Sequence, residues 1–405
     1  MPSIALYVHL PFCEHRCSYC DFNAFAGLDH LIGPYVRALR TELALWAPHF
    51  AGFRVRSVYF GGGTPSRVPP ELIGDILADV REEYRLARNA EITTEANPSS
   101  AEAARFHELR RLGITRISIG AQSFHDDELH VLERTHSAAE AEAAVRAAAD
   151  AGFANVSVDL MFGLPGQDLQ RWRENLERAL SLPIAHLSCY ALTVEEATPL
   201  AARVRSGRVA PPDDDLQAEM WDEADHVAGS AGLRRYEISN WARPGHECRH
   251  NLVYWRAEPY LGVGAGAHGY AFGVRFADEP SPQRYIAALA ADHRAERLAP
   301  GLPLAMPQVA RWERQPPDRE AADALWLGLR RARGVDTHEY ARRFGRAALA
   351  RFVEDFAECE ALGLLAREGC WIRLTRRGTL LANEVLSRFV APDPEPRARL
   401  QGSPA

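Results

Sequence analysis

Lysine is missing from this chain of 405 residues; all 47 of its basic residues are arginine. Chemistry that needs a lysine, such as a Schiff base or a P-loop, is therefore excluded. Long apolar runs are missing too. No stretch of about 18 apolar residues occurs, so no membrane-spanning helix is expected. The first residues, Met-Pro-Ser-Ile-Ala-Leu-Tyr, lack the cationic start and apolar core of a secretory signal, and a cytoplasmic protein is expected. A basic surface is also lacking. The 54 acids outnumber the bases, the formal charge is −7, and no long cationic run stands out, so nucleic acid is not expected as a partner. Cysteine is sparse, at 7 residues, yet three fall within eight positions. In a long cytoplasmic chain such crowding points to metal rather than to disulfides.

What is present is a repeating alternation of strand-like and helix-like segments. Strands rich in β-branched residues fit Ile4–Leu10, Val55–Phe60, Glu91–Glu95, Arg116–Gly120, Val156–Phe162 and His186–Leu192. Helical spacing connects Tyr35, Leu39, Leu43 and Trp46, and covers Pro70–Arg85, Ala101–Leu112, Ala138–Ala151 and Leu169–Leu180. Six βα units predict a parallel sheet under helical cover, as a partial (βα)6 TIM-type barrel; a flat doubly wound sheet is the alternative. In a barrel the chemistry belongs on loops after the strands' C-terminal ends. Residues 1–294 are read as this barrel with its C-terminal extension, which carries the glycine run Gly262–Gly269. Residues 295–318, rich in Pro and Arg, read as a linker. Residues 319–390 read as helices around a hairpin turning at Glu368-Gly369, a winged-helix-like module. The tail, 391–405, is expected to be disordered.

The strongest local signal is His9-Leu-Pro-Phe-Cys13-Glu-His-Arg-Cys17-Ser-Tyr-Cys20-Asp-Phe22. Its spacing puts three thiolates on one loop directly after the first strand. Thiolates are the ligands of iron–sulfur clusters. Three of them leave one iron of a 4Fe-4S cluster without a protein ligand, free to chelate the amino and carboxylate groups of S-adenosylmethionine (SAM). Structural zinc is the competing reading, and it normally takes four ligands. Further polar or glycine residues fall at later strand ends: Gly61-Gly-Gly-Thr-Pro-Ser66, Glu95, Gln122, Arg134 and Asp159. Glycines admit close approach of backbone to a ligand; arginine suits the SAM carboxylate and acids suit ribose hydroxyls.

Together these residues resemble the oxygen-independent coproporphyrinogen III oxidase family of radical SAM proteins. The likeness runs over nearly the whole chain, through Tyr7-x-His-x-Pro-Phe-Cys, Gly61–Ser66, Gly163-Leu-Pro-Gly-Gln167 and the C-terminal module. The chain is most similar to a haem-chaperone branch of that family. The oxidases continue the motif as C-x3-C-x2-C-x-C, where this chain has Phe22, and carry an extension before the motif for which Cys13 leaves no room. The branch's H-N-x-x-Y-W signature is present as His250-Asn-Leu-Val-Tyr-Trp255. The resemblance implies a cluster on Cys13, Cys17 and Cys20, with SAM near Tyr7, Tyr19, Gly62, Gly63, Thr64, Glu95, Gln122, Arg134 and Asp159. It assigns no catalytic residue.

The function implied is binding of haem and its delivery to respiratory haemoproteins, with the membrane surface as one place of transfer. The alternative is the family's enzymatic activity, oxidative decarboxylation of coproporphyrinogen III to protoporphyrinogen IX. A redox sensor on DNA is a third reading, opposed by the acids Glu354, Asp355, Glu358 and Glu360 beside the module's arginines. His250 is the expected axial haem ligand. A neutral imidazole suits haem iron, Arg249 and Arg256 can pair with propionates, and Tyr254 and Trp255 can pack on the porphyrin. His268, Cys248 and Cys189 compete for that role.

Overall fold

The computed structural model describes residues 2–290 and 306–391. The chain divides into two compact units, Met1–Tyr254 with Glu258–Arg314, and Trp255–Ala257 with Gln315–Ala405. Along the first unit run β1 (Ser3–Leu10), β2 (Phe12–Cys13), β3 (Phe25–Ala26), α1 (Ile32–Phe50), β4 (Arg54–Gly62), α2 (Pro70–Glu83), β5 (Arg85–Ala96), α3 (Ser100–Ala103), α4 (Phe106–Arg111), β6 (Arg116–Gln122), α5 (Asp126–Val131), α6 (Ala138–Asp150), β7 (Asn155–Phe162), α7 (Leu169–Leu180), β8 (His186–Ala191), α8 (Pro199–Arg205), α9 (Asp214–Ser230), β9 (Arg234–Glu237), β10 (Asn240–Ala242), α10 (Arg249–Trp255), β11 (Tyr260–Val263), β12 (His268–Ala271), β13 (Val274–Asp278), α11 (Pro282–Ala290) and β14 (Val309–Arg314).

Strands β1, β4, β5, β6, β7 and β8 pair in that order, all parallel. This is the (βα)6 partial barrel, with all six C-terminal strand ends on one rim. The helices cover it with the faces their spacing dictates. Helix α1 buries Tyr35, Leu39, Leu43 and Trp46, an i, i+4, i+8, i+11 stripe. Helix α6 begins with a Ser137/Glu140 capping box and α7 with an Asp168 cap on the Arg171 amide, which satisfy first-turn donors.

The sheet is wider than six strands. β11 adds parallel to β1, and β12, β13 and β14 follow antiparallel. Residues 309–314, expected within a linker, thus form the sheet's outer strand; 291–305 lie outside the described residues. The glycines of this extension serve close packing of the chain on itself. A Cβ on Gly262 would stand 1.9 Å from the His268 carbonyl oxygen, and one on Gly264 2.6 Å from that of His9. The extension is tied to α1 by Glu42, which is fully buried. It accepts from the Gly264 amide at 2.8 Å, Tyr285 Oη at 2.5 Å, Gln308 Nε2 at 3.0 Å and Trp46 Nε1 at 3.2 Å. Burial raises the pKa of both Glu42 and the adjoining Asp278.

In the second unit α12 (Pro317–Leu329), β15 (Val335–Asp336), α13 (Thr337–Phe344), α14 (Arg346–Ala350), α15 (Val353–Ala361), β16 (Leu365–Glu368), β17 (Trp371–Leu374), α16 (Arg376–Leu380) and α17 (Ala382–Ser387) surround a three-stranded sheet in the order β15-β17-β16. The hairpin turns at Gly369, at φ 59°, a conformation glycine adopts freely. This is the winged-helix-like arrangement, with a short third strand, β15, that its two residues did not announce. The tail beyond residue 391 lies outside the described residues. Among the described residues no helix is long and apolar enough to cross a membrane.

Gly262→Ala should lower the denaturation midpoint of the apo chain, by about 1–3 kcal/mol in stability, because overpacking against a backbone carbonyl forces the hairpin apart. Gly52→Ala, whose added Cβ would meet nothing within 4 Å, is the control and should leave the midpoint unchanged. Equal midpoints for the two variants would contradict the packing role given to Gly262.

Candidate functional site

Strand β1 delivers the chain to the C-terminal rim, and Cys13, Cys17 and Cys20 follow on the next loop. All three are partly accessible, whereas Cys189 and Cys248 are buried in the same unit and Cys359 and Cys370 belong to the second unit. A hydrogen-bonded chain links the loop to the neighbouring strand ends. Cys13 Sγ lies 3.6 Å from Thr64 Oγ1, and Asn97 Nδ2 donates to Thr64 Oγ1 at 3.1 Å. The Arg134 guanidinium donates to Asn97 Oδ1 and to the Gly120 carbonyl, each at 2.8 Å, and to Cys17 Sγ at 3.4 Å. Its Nε–H is buried with no partner.

Inward of the cysteines lies a cavity of about 410 Å³. Glu95 closes β5 and accepts from Tyr59 Oη at 2.8 Å and the Gly62 amide at 3.2 Å. Burial, aided by the nearby Asp159 charge, pushes the Glu95 carboxyl up to about 7. Asp159 accepts from Ser118 Oγ at 3.0 and 3.1 Å, and burial raises its pKa as well. Tyr190 is 43% exposed because its side chain lines this space. Arg116 also lines it, is only 2% exposed, and has an unpartnered Nε–H. Two ionisable carboxyls and a buried guanidinium around one void can receive a polar ligand bearing both cationic and hydroxyl groups.

Of the residues singled out by the sequence, Cys13, Cys17, Cys20, Tyr19, Gly62, Gly63, Thr64, Glu95, Gln122, Arg134 and Asp159 all line this cavity. Gln122 reaches it through a bulge of β6 beside β7, with φ at 66°. Such a conformation costs a non-glycine residue about 1–3 kcal/mol, and the bulge re-aims the side chain at the rim. Gly62 and Gly63 have a further reason to be glycine. An added Cβ would lie 2.6 Å from the His9 ring or 2.7 Å from the Phe12 carbonyl oxygen, so they let β4 pass close under the cysteine loop. Tyr7 lines an adjoining cavity of about 430 Å³, which shares Asp21, Phe22, Gly62 and Glu95 with the first. Tyr59, Asn97, Arg116, Ser118 and Tyr190 line the first cavity as well, without a motif of their own in the sequence. Only their positions on strands already recognised could have pointed to them.

His250 corrects an expectation. It stands in α10, not in a loop, and is 1% exposed. Its Nδ1 is 3.0 Å from Ser57 Oγ and its Nε2 is 2.9 Å from Tyr254 Oη. Burial and the nearby Arg56 and Arg116 charges push its pKa down to about 3. Both ring nitrogens are engaged in hydrogen bonds inside the barrel. Arg249, expected to face a propionate, pairs instead with Glu91 at 3.8 Å and the Asn89 carbonyl at 2.8 Å. Trp255 belongs to the second unit, where Arg330 lies over its ring at 4.6 Å. Of the competing donors, Cys189 and Cys248 are buried.

Comparison with known proteins agrees with this fold. The radical SAM superfamily model matches residues 7–179 and the HemN C-terminal domain model residues 315–381. The chain is 38% identical over 384 residues to heme chaperone HemW of Mycobacterium tuberculosis (strain CDC 1551 / Oshkosh), covering 94% of this chain and 93% of that one. It is 34% identical over 385 residues to heme chaperone HemW of Bacillus subtilis (strain 168), covering 95% and 98%. The structure of the coproporphyrinogen III oxidase HemN from Escherichia coli, a radical SAM enzyme, superposes with a TM-score of 0.81 at 22% identity, over 96% of this chain and 90% of that one; it establishes the fold. The chain belongs to the HemW family of radical SAM proteins.

Proposed function

We propose that this chain carries a 4Fe-4S cluster on Cys13, Cys17 and Cys20 with SAM at the open iron, binds haem, and hands haem to respiratory haemoproteins. What carries the reading is the likeness, over 93% of the relative's length, to a protein named heme chaperone. Phe22 agrees with it, standing where the oxidase motif has a fourth cysteine and 65% exposed between the two cavities.

The donor set fits the cluster. Three accessible thiols share a loop, and no fourth cysteine of this unit is accessible. Among the described residues the three sulfurs do not all lie within 4.8 Å of one another. A single tetrahedral zinc with bonds of ~2.3 Å would draw them to about 3.8 Å. When bound and reduced, the cluster supplies an electron to the sulfonium of SAM. The residues around it have separable tasks. Arg134 donates to the Cys17 sulfur, and its spare Nε–H is a donor for the SAM carboxylate. Glu95 and Asp159 offer acceptor oxygens to the ligand's cationic centre and ribose hydroxyls. Tyr59 and Ser118 hold those carboxylates in place.

Glu95 sets a pH dependence. Its pKa of about 7 in the apo chain lies above the usual carboxylate value, so it is protonated in acid. A sulfonium cation prefers the ionised form, and affinity for SAM should fall as pH is lowered through about 7. Glu95→Gln should bind more weakly at alkaline pH and lose that dependence, measured by equilibrium dialysis of the cluster-loaded chain. A slope retained in the variant would contradict this role. The function itself is tested by presenting haem and, separately, coproporphyrinogen III with SAM and reductant. The expected result is a stoichiometric haem complex without multiple turnover to protoporphyrinogen IX. Sustained turnover would favour the oxidase reading instead.

A further inference from the structure

The second cavity has aromatic walls. Tyr7, Phe22, Tyr254 and Tyr260 line it, with His9 and His268 and the small residues Gly266 and Ala267 between them. Its volume of about 430 Å³ lies within the range of about 300–1,000 Å³ typical of small-molecule sites. Flat aromatic walls suit a flat apolar ring system.

Three imidazoles lie at or beneath this space, and they differ in what their nitrogens do. His9 is 6% exposed, with Nδ1 3.0 Å from Tyr7 Oη and Nε2 2.9 Å from the Asn23 carbonyl oxygen. His250 is fixed at both nitrogens, as described above. Iron binding at either would strand a buried hydrogen-bonding group, at a cost of about 1–3 kcal/mol. His268 opens β12 and is exposed, and among the described residues its ring has no hydrogen-bond partner. Partial burial and the nearby Arg311 charge lower its pKa, the direction that favours the neutral ring. Arg311 sits level with it two strands away, through the pairs His268↔Ala277 and Ala277↔Arg311, as a cation for a propionate.

We propose that haem occupies this second cavity with His268 as axial iron ligand, its ring against Tyr7, Phe22, Tyr254 and Tyr260; the assignment rests on the haem-binding reading above. The shared wall at Phe22 and Glu95 places haem beside the SAM cavity.

The test is a haem titration of the full, anaerobically reconstituted chain, read by the Soret band and by affinity. His268→Ala should shift the band and weaken binding at least tenfold, and added imidazole should restore the wild-type spectrum. His15→Ala removes the other accessible histidine near the cavities, on the cysteine loop, and should leave the band in place. A wild-type band and affinity in His268→Ala, or loss of the band in His15→Ala instead, would overturn the assignment while leaving haem binding intact. Absence of haem binding by the wild-type chain would overturn the functional reading itself and this assignment with it.

Discussion

Six parallel strands that stop short of a closed barrel leave β1 and β8 each with one row of unpaired peptide groups. The structure satisfies both rows from the segment after the last βα unit. β10 pairs antiparallel with β8, and β11 pairs parallel with β1, matching Ala5 to Tyr260 and Val8 to Val263. Helix α10 lies between these two strands in sequence, and its first amides bind a barrel carboxylate. Glu91 accepts from the Arg249 amide at 3.1 Å and the His250 amide at 3.0 Å. Satisfying the edges therefore also brings Tyr254, Tyr260 and His268 to the cavity beside the cysteine loop. The polar interior and the second cavity are consequences of how an incomplete barrel is finished.

Two groups of buried acids show why a raised pKa alone does not mark a site. Glu42 and Asp278 are shifted as Glu95 and Asp159 are, and for the same first cause, burial. Glu42 is surrounded by protein donors, and the pair lines neither cavity. It fastens the extension to α1. Glu95 and Asp159 are held by donors on one side and open onto a cavity on the other. Geometry separates the structural pair from the pair available to a ligand.

The barrel was legible because its strands carry β-branched runs and its helices repeat at 3.6 residues. The cysteine loop was legible because thiolate spacing along the chain is itself the signal. What was missed lacked such a local mark. β11, Tyr260–Val263, runs into the glycine run that starts at Gly262, where close packing against the His268 carbonyl leaves no room for a side chain and masks the strand. β14 was hidden by its Arg-rich composition and gains its partner only from β13. The helix expected over 101–112 breaks into α3 and α4 around Ala104 and Arg105. His250 shows the limit most clearly. Its motif is visible in the sequence, but its hydrogen bond to Ser57 spans 193 positions, and a side chain's long-range partners decide whether it is free to bind.

The central claim is that three thiolates leave one iron of a cluster open to SAM. It is tested most directly by electron–nuclear double resonance on the reduced, reconstituted chain with SAM labelled at its amino nitrogen and carboxylate oxygen. Hyperfine coupling of both labels to the cluster is expected. A reduced cluster whose spectrum SAM leaves unchanged, or a chain that takes up zinc and no iron or sulfide, would contradict it.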